Sequence, residues 1–242
     1  MTAILEVNNL VKKFGNFVAV DGISFKMEEG TITGLLGPNG AGKTTTIQMI
    51  LDIISPTSGE IKIFGKPMHR HRDEILSKMN FSSPYVHLPN TLKVWENLYT
   101  FARLYGVKDI KGKIGELSKQ FDLEELLPKM TSQLSSGQLT RLNMAKAMLN
   151  EPKLLLLDEP TASLDPDIAD RTRMIFKKLQ KENGISILYT SHNMEEVEEI
   201  CDRVIFIQRG KVKDEGTPDE LIKKYGHKDL NDVFLTIARE KV

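Results

Sequence analysis

The spacing of hydrophobic and polar positions changes several times along the chain. Leu5 to Lys12 and Ser24 to Met27 read as short strands, and Thr31 to Leu36 is an apolar run that stops at Gly37. From Lys43 to Ile54 the period lengthens: Ile47, Ile50, Leu51 and Ile54 fall three or four apart, which puts them on one face of a helix. Ser55-Pro56-Thr57-Ser58-Gly59 ends that helix as a turn cluster, and Glu60 to Phe64 alternates as a half-buried strand does. Helical spacing then takes over at Val94 to Tyr105, Ile114 to Phe121 and Leu139 to Leu149, with no convincing strand between them. Strand patterns return at Leu154 to Leu157, Ser186 to Tyr189 and Val204 to Ile207, alternating with helical stretches at Asp167 to Glu182 and Glu195 to Ile200. The whole predicts a parallel α/β core preceded by a β-rich block and carrying a helical insert. Arg209-Gly210 marks a hairpin turn, and Thr217-Pro218-Asp219-Glu220 joins a capping-box spacing to Pro at the first helical position, so a C-terminal helix begins there.

Composition narrows the class further. The chain has 242 residues, 40% hydrophobic and 27% charged, which excludes disorder, collagen and coiled coil and allows a core without disulfides or metals. Lys and Arg number 33, as do Asp and Glu, so the strong positive field of a nucleic-acid binder is missing and no nucleic-acid partner is expected. Cys201 is the single cysteine, which fits a reducing compartment. Ile47 to Ile54 and Leu154 to Leu157 are too short or interrupted to cross a bilayer, and Met1 to Leu10 shows no secretory signal, so a cytoplasmic location is expected.

Two segments carry chemistry. Gly37-Pro38-Asn39-Gly40-Ala41-Gly42-Lys43-Thr44, with Thr45 after it, matches the phosphate-binding loop pattern and lies between an apolar strand and a helix, where the pattern has meaning. Its glycines let several backbone N–H groups converge on phosphate at a helix N-terminus, Lys43 reaches the terminal phosphates, and Thr44 offers a magnesium ligand. Leu154-Leu155-Leu156-Leu157-Asp158-Glu159 delivers two carboxylates to the C-terminal end of a buried strand. Asp158 is the candidate magnesium ligand and Glu159 the candidate base for a water attacking the terminal phosphate.

Leu134-Ser135-Ser136-Gly137-Gln138 lies between them. It is followed by Ser163-Leu164-Asp165 after the carboxylates and by a histidine just past a strand in Tyr189-Thr190-Ser191-His192. In that order and spacing the chain resembles the ATP-binding cassette family, and the resemblance covers residues 14 to 192. It implies a phosphate-loop ATPase fold with an antiparallel β subdomain and a helical subdomain. Residues 1–83 and 151–215 would form the catalytic α/β core with the β subdomain, about 84–150 the helical signature subdomain, and 216–242 a C-terminal helical tail. It implies ATP and Mg2+ as cofactors and His192 as a switch histidine acting with Glu159 and Lys43. Phe14, with Val18 and Val20 after it, resembles the loop that stacks on adenine. Ser135, Ser136, Gly137 and Gln138, with Asp165 of the D-loop, would meet nucleotide held by a second nucleotide-binding subunit, either another copy or a paralogue, so that two ATP molecules are sandwiched head to tail.

Two positions depart from the family pattern. Ser136 stands where the family most often has glycine, which would be costly if the position needed a positive φ. The stretch Phe81-Ser82-Ser83-Pro84-Tyr85 falls where the family carries a glutamine, and Ser83 could serve there only through a bridging water. The family's partner is a separate transmembrane permease subunit received near Tyr85 to Leu92, which would hold this chain on the cytoplasmic face of a bacterial inner membrane. Gly216 to Leu221 and Leu230 to Leu235 resemble the tails of ABC-2 type exporter subunits. A soluble non-transport cassette, such as an iron–sulfur assembly ATPase, remains the alternative, and so does a cassette that binds ATP for regulation only.

Overall fold

The computed structural model describes residues 2–83, 87–162 and 164–239. The chain opens with a long hairpin, β1 (Ala3–Phe14) and β2 (Phe17–Glu28), whose Leu5, Val7, Leu10, Val20, Ile23 and Phe25 turn inward. β3 (Ile32–Leu36) is buried at every position and leads through the glycine loop into α1 (Lys43–Ile50). β4 (Ser58–Ile63) and β5 (Lys66–Pro67) then complete an antiparallel sheet in the order β2-β1-β4-β5. After α2 (Arg72–Leu76) and β6 (Met79–Ser82) comes a helical stretch made of α3 (Val94–Leu104), α4 (Ile110–Gln120) and α5 (Ser136–Ala147). The chain continues as β7 (Leu154–Asp158), α6 (Pro166–Asn183), β8 (Ser186–Thr190), α7 (Met194–Ile200), β9 (Arg203–Gln208), β10 (Lys211–Gly216), α8 (Pro218–Tyr225) and α9 (Leu230–Arg239).

The second sheet has the order β10-β9-β3-β8-β7-β6, parallel from β9 to β6, with β10 antiparallel at one edge. Strands covered on both faces read as continuous apolar runs, and the period of two divides their side chains between two cores. Leu154, Leu156, Leu188 and Ile205 pack with β1, β2, β4 and α1. Leu155, Leu157, Ile187 and Phe206 pack with the helices from α3 to α9. Each such side chain contributes about 1.5–3 kcal/mol by leaving water. The sheet is therefore held rigidly from both sides, and its C-terminal edge is a stable place for a site.

The structure differs from the pattern reading at definite places. The first helix ends at Ile50 instead of Ile54, because Asp52 takes a left-handed φ of 55°. Ser58 and Gly59 belong to β4 and not to the turn. α4 starts at Ile110, where Asp109 Oδ1 accepts the Gly112 N–H at 3.0 Å. β6 was not foreseen, since Asn80 and Ser82 interrupt it; it pairs with β7 in parallel, and Asn80 Nδ2 donates to Asn150 Oδ1 at 2.8 Å. The expected C-terminal helical tail ends in α9, which packs Val233, Phe234 and Ile237 on the core, with Phe234 against Phe206 at 6.3 Å between ring centroids. No described helix is long and apolar enough to cross a membrane.

Candidate functional site

The glycine loop is shaped by close backbone approach. A Cβ on Gly37 would stand 2.1 Å from the Ile207 carbonyl oxygen, and one on Gly42, which has φ of 108°, 2.7 Å from that of Ala19. Only glycine fits at either position, and Gly42 is the N-cap of α1. The β9–β10 turn clamps the loop: the Gly210 N–H donates to the Ala41 carbonyl at 2.9 Å, and the Asp21 N–H to the Gly210 carbonyl at 2.8 Å. Lys43, almost fully buried, donates to the carbonyls of Gly37 at 2.6 Å and Pro38 at 3.3 Å. Burial pulls the Lys43 ammonium below its ordinary range, although the carboxylates of Glu159 and Asp158 oppose the shift. Asn39, Gly40, Ala41, Gly42, Lys43, Thr44 and Thr45 line a cavity of about 570 Å³. The first-turn N–H groups of α1 have no helical acceptor of their own, so this wall is electropositive.

The facing wall comes from the C-terminal ends of β7 and β8. Asp158, Glu159 and His192 line the same cavity. The Thr190 hydroxyl donates to Asp158 Oδ1 at 2.6 Å, and the Glu159 N–H is received at 3.1 Å by both the Thr190 carbonyl and its Oγ1. Glu159 has φ of 50°, a left-handed backbone that costs a non-glycine residue about 1–3 kcal/mol and is held here by those bonds. His192 Nδ1 stands 3.5 Å from Glu159 Oε2. A cation, a helix N-terminus, two carboxylates and an imidazole thus surround one space on the carboxyl edge of a parallel sheet, where such sheets bind ligands.

Other expected residues lie elsewhere. From the β1–β2 hairpin it is Phe17 and Ala19 that line the cavity, and neither Phe14 nor Val18 is among the described lining residues. Phe14 pairs across the hairpin with Phe17, half-exposed, and the Lys12 ammonium lies 5.0 Å from its ring centroid. Sequence reading missed Phe17: the period of two groups Phe17 with Ala19 on one face of β2 and Val18 on the other, but which face meets the cavity is set by the fold.

Ser135 caps α5. Its Oγ accepts the Gln138 N–H at 3.3 Å while Gln138 Oε1 accepts the Ser135 N–H at 3.0 Å, a reciprocal capping box. Ser136 lies in the first helical turn without a positive φ, so the expected cost of serine there does not arise. A Cβ on Gly137 would stand 2.8 Å from Ile168 Cδ1 of α6. Asp165 is the N-cap of α6, and its side chain makes no capping hydrogen bond among the described residues. None of Ser135, Ser136, Gly137, Gln138 and Asp165 is among the described residues lining the cavity. Ser83 is buried after β6. Ser163 and the loop residues Pro84, Tyr85 and Val86 lie outside the described residues.

Residues 20–162 match the family model described as ABC transporter. The Nod factor export ATP-binding protein I of Cupriavidus metallidurans is 35% identical over 97% of this chain and 78% of its own length. The bacitracin transport ATP-binding protein BcrA of Bacillus licheniformis is 37% identical over 95% of this chain and 74% of its own. The solved structure of cbiO1 from Clostridium perfringens, part of the ABC transporter complex cbiONQ, is 28% identical and superimposes with a TM-score of 0.82 over 98% of this chain and 100% of that one. The chain belongs to the ABC transporter family. It is an ATP-binding, ATP-hydrolysing subunit with the α/β phosphate-loop fold of that family's nucleotide-binding domains.

Proposed function

We propose that this chain powers transport, in the export direction, through a separate membrane subunit, and that Lys43, Glu159 and His192 carry out ATP hydrolysis. The observation that carries the reading is the convergence of Lys43, Thr44, Asp158, Glu159 and His192 on one cavity. Phosphate oxygens take over the Lys43 ammonium from the Gly37 and Pro38 carbonyls and receive the α1 amide groups. Glu159 accepts a proton from the attacking water, and His192 beside it stabilises the charge of the transferred phosphoryl group. The donor set suits magnesium: Thr44, which carries a hydroxyl, lines the cavity, and Asp158 has one oxygen occupied by Thr190, which leaves the other for the ion. When bound, Mg2+ neutralises charge on the phosphate oxygens and orients them.

The signature residues support a two-copy arrangement. The capped N-terminus of α5 is an anion site by its dipole and serine, yet it does not line the chain's own cavity. Ser135 and Gly137 of one copy therefore complete the ATP site of a second copy or a paralogue, with Asp165 at the same seam. The names of the relatives, for Nod factor export and bacitracin transport, support a transporter over a soluble assembly ATPase and favour export. The cbiO1 protein is part of an ABC transporter complex, which supports a membrane partner here, and with such a partner this chain would sit on the cytoplasmic face of the membrane.

Glu159→Gln tests the site. Turnover should fall by about 100-fold or more, with an ATP-dependent dimer accumulating in size-exclusion chromatography with light scattering. A variant that stays monomeric in MgATP contradicts the sandwich. Purification of the tagged chain from solubilised membranes should retain a multi-span protein, whereas only soluble partners would favour the assembly-ATPase reading.

A further inference from the structure

Behind Glu159 and His192 lies a buried carboxylate that the proposed chemistry does not use. Glu196, in the first turn of α7, is 7% exposed. Its Oε2 accepts three hydroxyls: Thr161 Oγ1 at 2.7 Å, Tyr189 Oη at 3.0 Å and Ser191 Oγ at 3.3 Å. Its Oε1 accepts Arg173 Nη1 from α6 at 3.2 Å. A carboxylate out of water is costly unless donors fill its lone pairs, and here four do so. Burial first, and then the Glu196 charge, push the Tyr189 phenol up, so it stays a donor. Arg173 also holds Glu199 at 2.9 Å and Asp170 at 3.0 Å, so its own charge does not depend on Glu196 alone.

The positions of the donors along the chain give the arrangement its meaning. Thr161 stands two residues past Glu159, and Ser191 immediately precedes His192. The Ser191 hydroxyl also accepts the Asn193 N–H at 3.0 Å, and Asn193 Oδ1 accepts the N–H groups of Glu195 at 3.1 Å and Glu196 at 3.4 Å. His192 is therefore suspended between two residues that are both fastened to the start of α7. The segment that follows Glu159 is fastened to the same carboxylate.

We propose that Glu196 is a positioning residue for ATP hydrolysis: by holding the Thr161 and Ser191 hydroxyls on one oxygen it sets the 3.5 Å approach of His192 to Glu159. This rests on the reading that Glu159 and His192 act on ATP. Glu196 is not among the described residues lining the glycine-loop cavity, so its loss acts on turnover and not on binding.

The test uses the full chain, with MgATP hydrolysis and the affinity for a fluorescent ATP analogue measured on the same preparations. Glu196→Gln should lower kcat by about tenfold or more while KM and analogue affinity stay within about twofold. Thr161→Val and Ser191→Ala should each lower kcat in the same manner, and Thr161→Ser, which keeps the hydroxyl, should restore it. The double variant Glu196→Gln, Thr161→Val should lose less than the two single losses combined, because they remove one interaction. Thr172→Val is the control, since it deletes a buried hydroxyl that among the described residues is bonded only to the Ile168 carbonyl within α6; it should move the melting midpoint alone. Unchanged kcat in Glu196→Gln, or kcat and affinity falling together, overturns the proposal. If Glu196→Gln does not fold, Thr161→Val and Ser191→Ala decide it, since both keep the Glu196–Arg173 pair, and near-wild-type kcat in both overturns it. Retained turnover in Glu159→Gln is a different failure, that of the site reading itself.

Discussion

Glu159 shows how far a single residue's sequence context reaches. Its place after four leucines and Asp158 announced an acid at a strand end, but the left-handed φ of 50° that aims it comes from Thr190, 31 positions away. Phe14 and Phe17 make the converse case, since two aromatics three apart carry the same message in sequence and only the hairpin register puts Phe17 on the cavity. Base stacking on an aromatic face contributes about 1–3 kcal/mol, so Phe17→Ala should raise KM for ATP by about tenfold, and Phe14→Ala should raise it by less. Equal effects, or a larger one at Phe14, would return the stacking role to Phe14. The departure at Phe81 to Tyr85 is also tested at this scale: Ser83→Gln should change turnover about several-fold, and an unchanged rate removes Ser83 from the mechanism.

Elements were legible where one local rule governed them. The Thr217 capping box appears as read, with Thr217 Oγ1 accepting the Glu220 N–H at 3.2 Å and Glu220 Oε2 accepting the Thr217 N–H at 2.9 Å. β6 was illegible because its polar residues are satisfied by distant partners, Asn80 by Asn150, and no local pattern announces such a pairing. α8 is fastened to β10 by Lys224, whose ammonium lies 2.7 Å from Asp214 Oδ2. Burial works against the Asp214 carboxylate, but hydrogen bonds from Lys224, Tyr225 and the Glu215 N–H outweigh it and hold its pKa below the usual range. A lowered folded-state pKa adds stability above the unfolded value, near 3.9, and that stability is lost as pH falls through the folded value. Asp214→Asn should therefore cost about 0.5–1 kcal/mol in urea denaturation at neutral pH, with the gap to wild type closing below about pH 4. A gap that persists in acid would mean that packing, not charge, is what the substitution removes.

At the scale of the whole molecule, the cavity has walls from the β1–β2 hairpin, the glycine loop and the ends of β7 and β8, so nucleotide binding should stabilise the two sheets together. Saturation at 100 times Kd contributes about 2.7 kcal/mol of apparent stability, and dimer formation adds a dependence on protein concentration. MgATP should therefore raise the melting temperature of Glu159→Gln, and raise it further at higher protein concentration. A rise independent of concentration would leave ATP binding intact and remove the dimer. The strand and helix periods, the glycine loop, the paired carboxylates and the family were legible in the residues alone, because each is written in residues close together and set by local sterics or period. That Phe17 faces the cavity, that Ser136 is unstrained, that Thr190 shapes Asp158 and Glu159, and that Glu196 gathers Thr161, Ser191 and Arg173 emerged with the folded chain. These depend on strand order and register, which bring together residues tens of positions apart, and no local pattern encodes where a distant partner will stand.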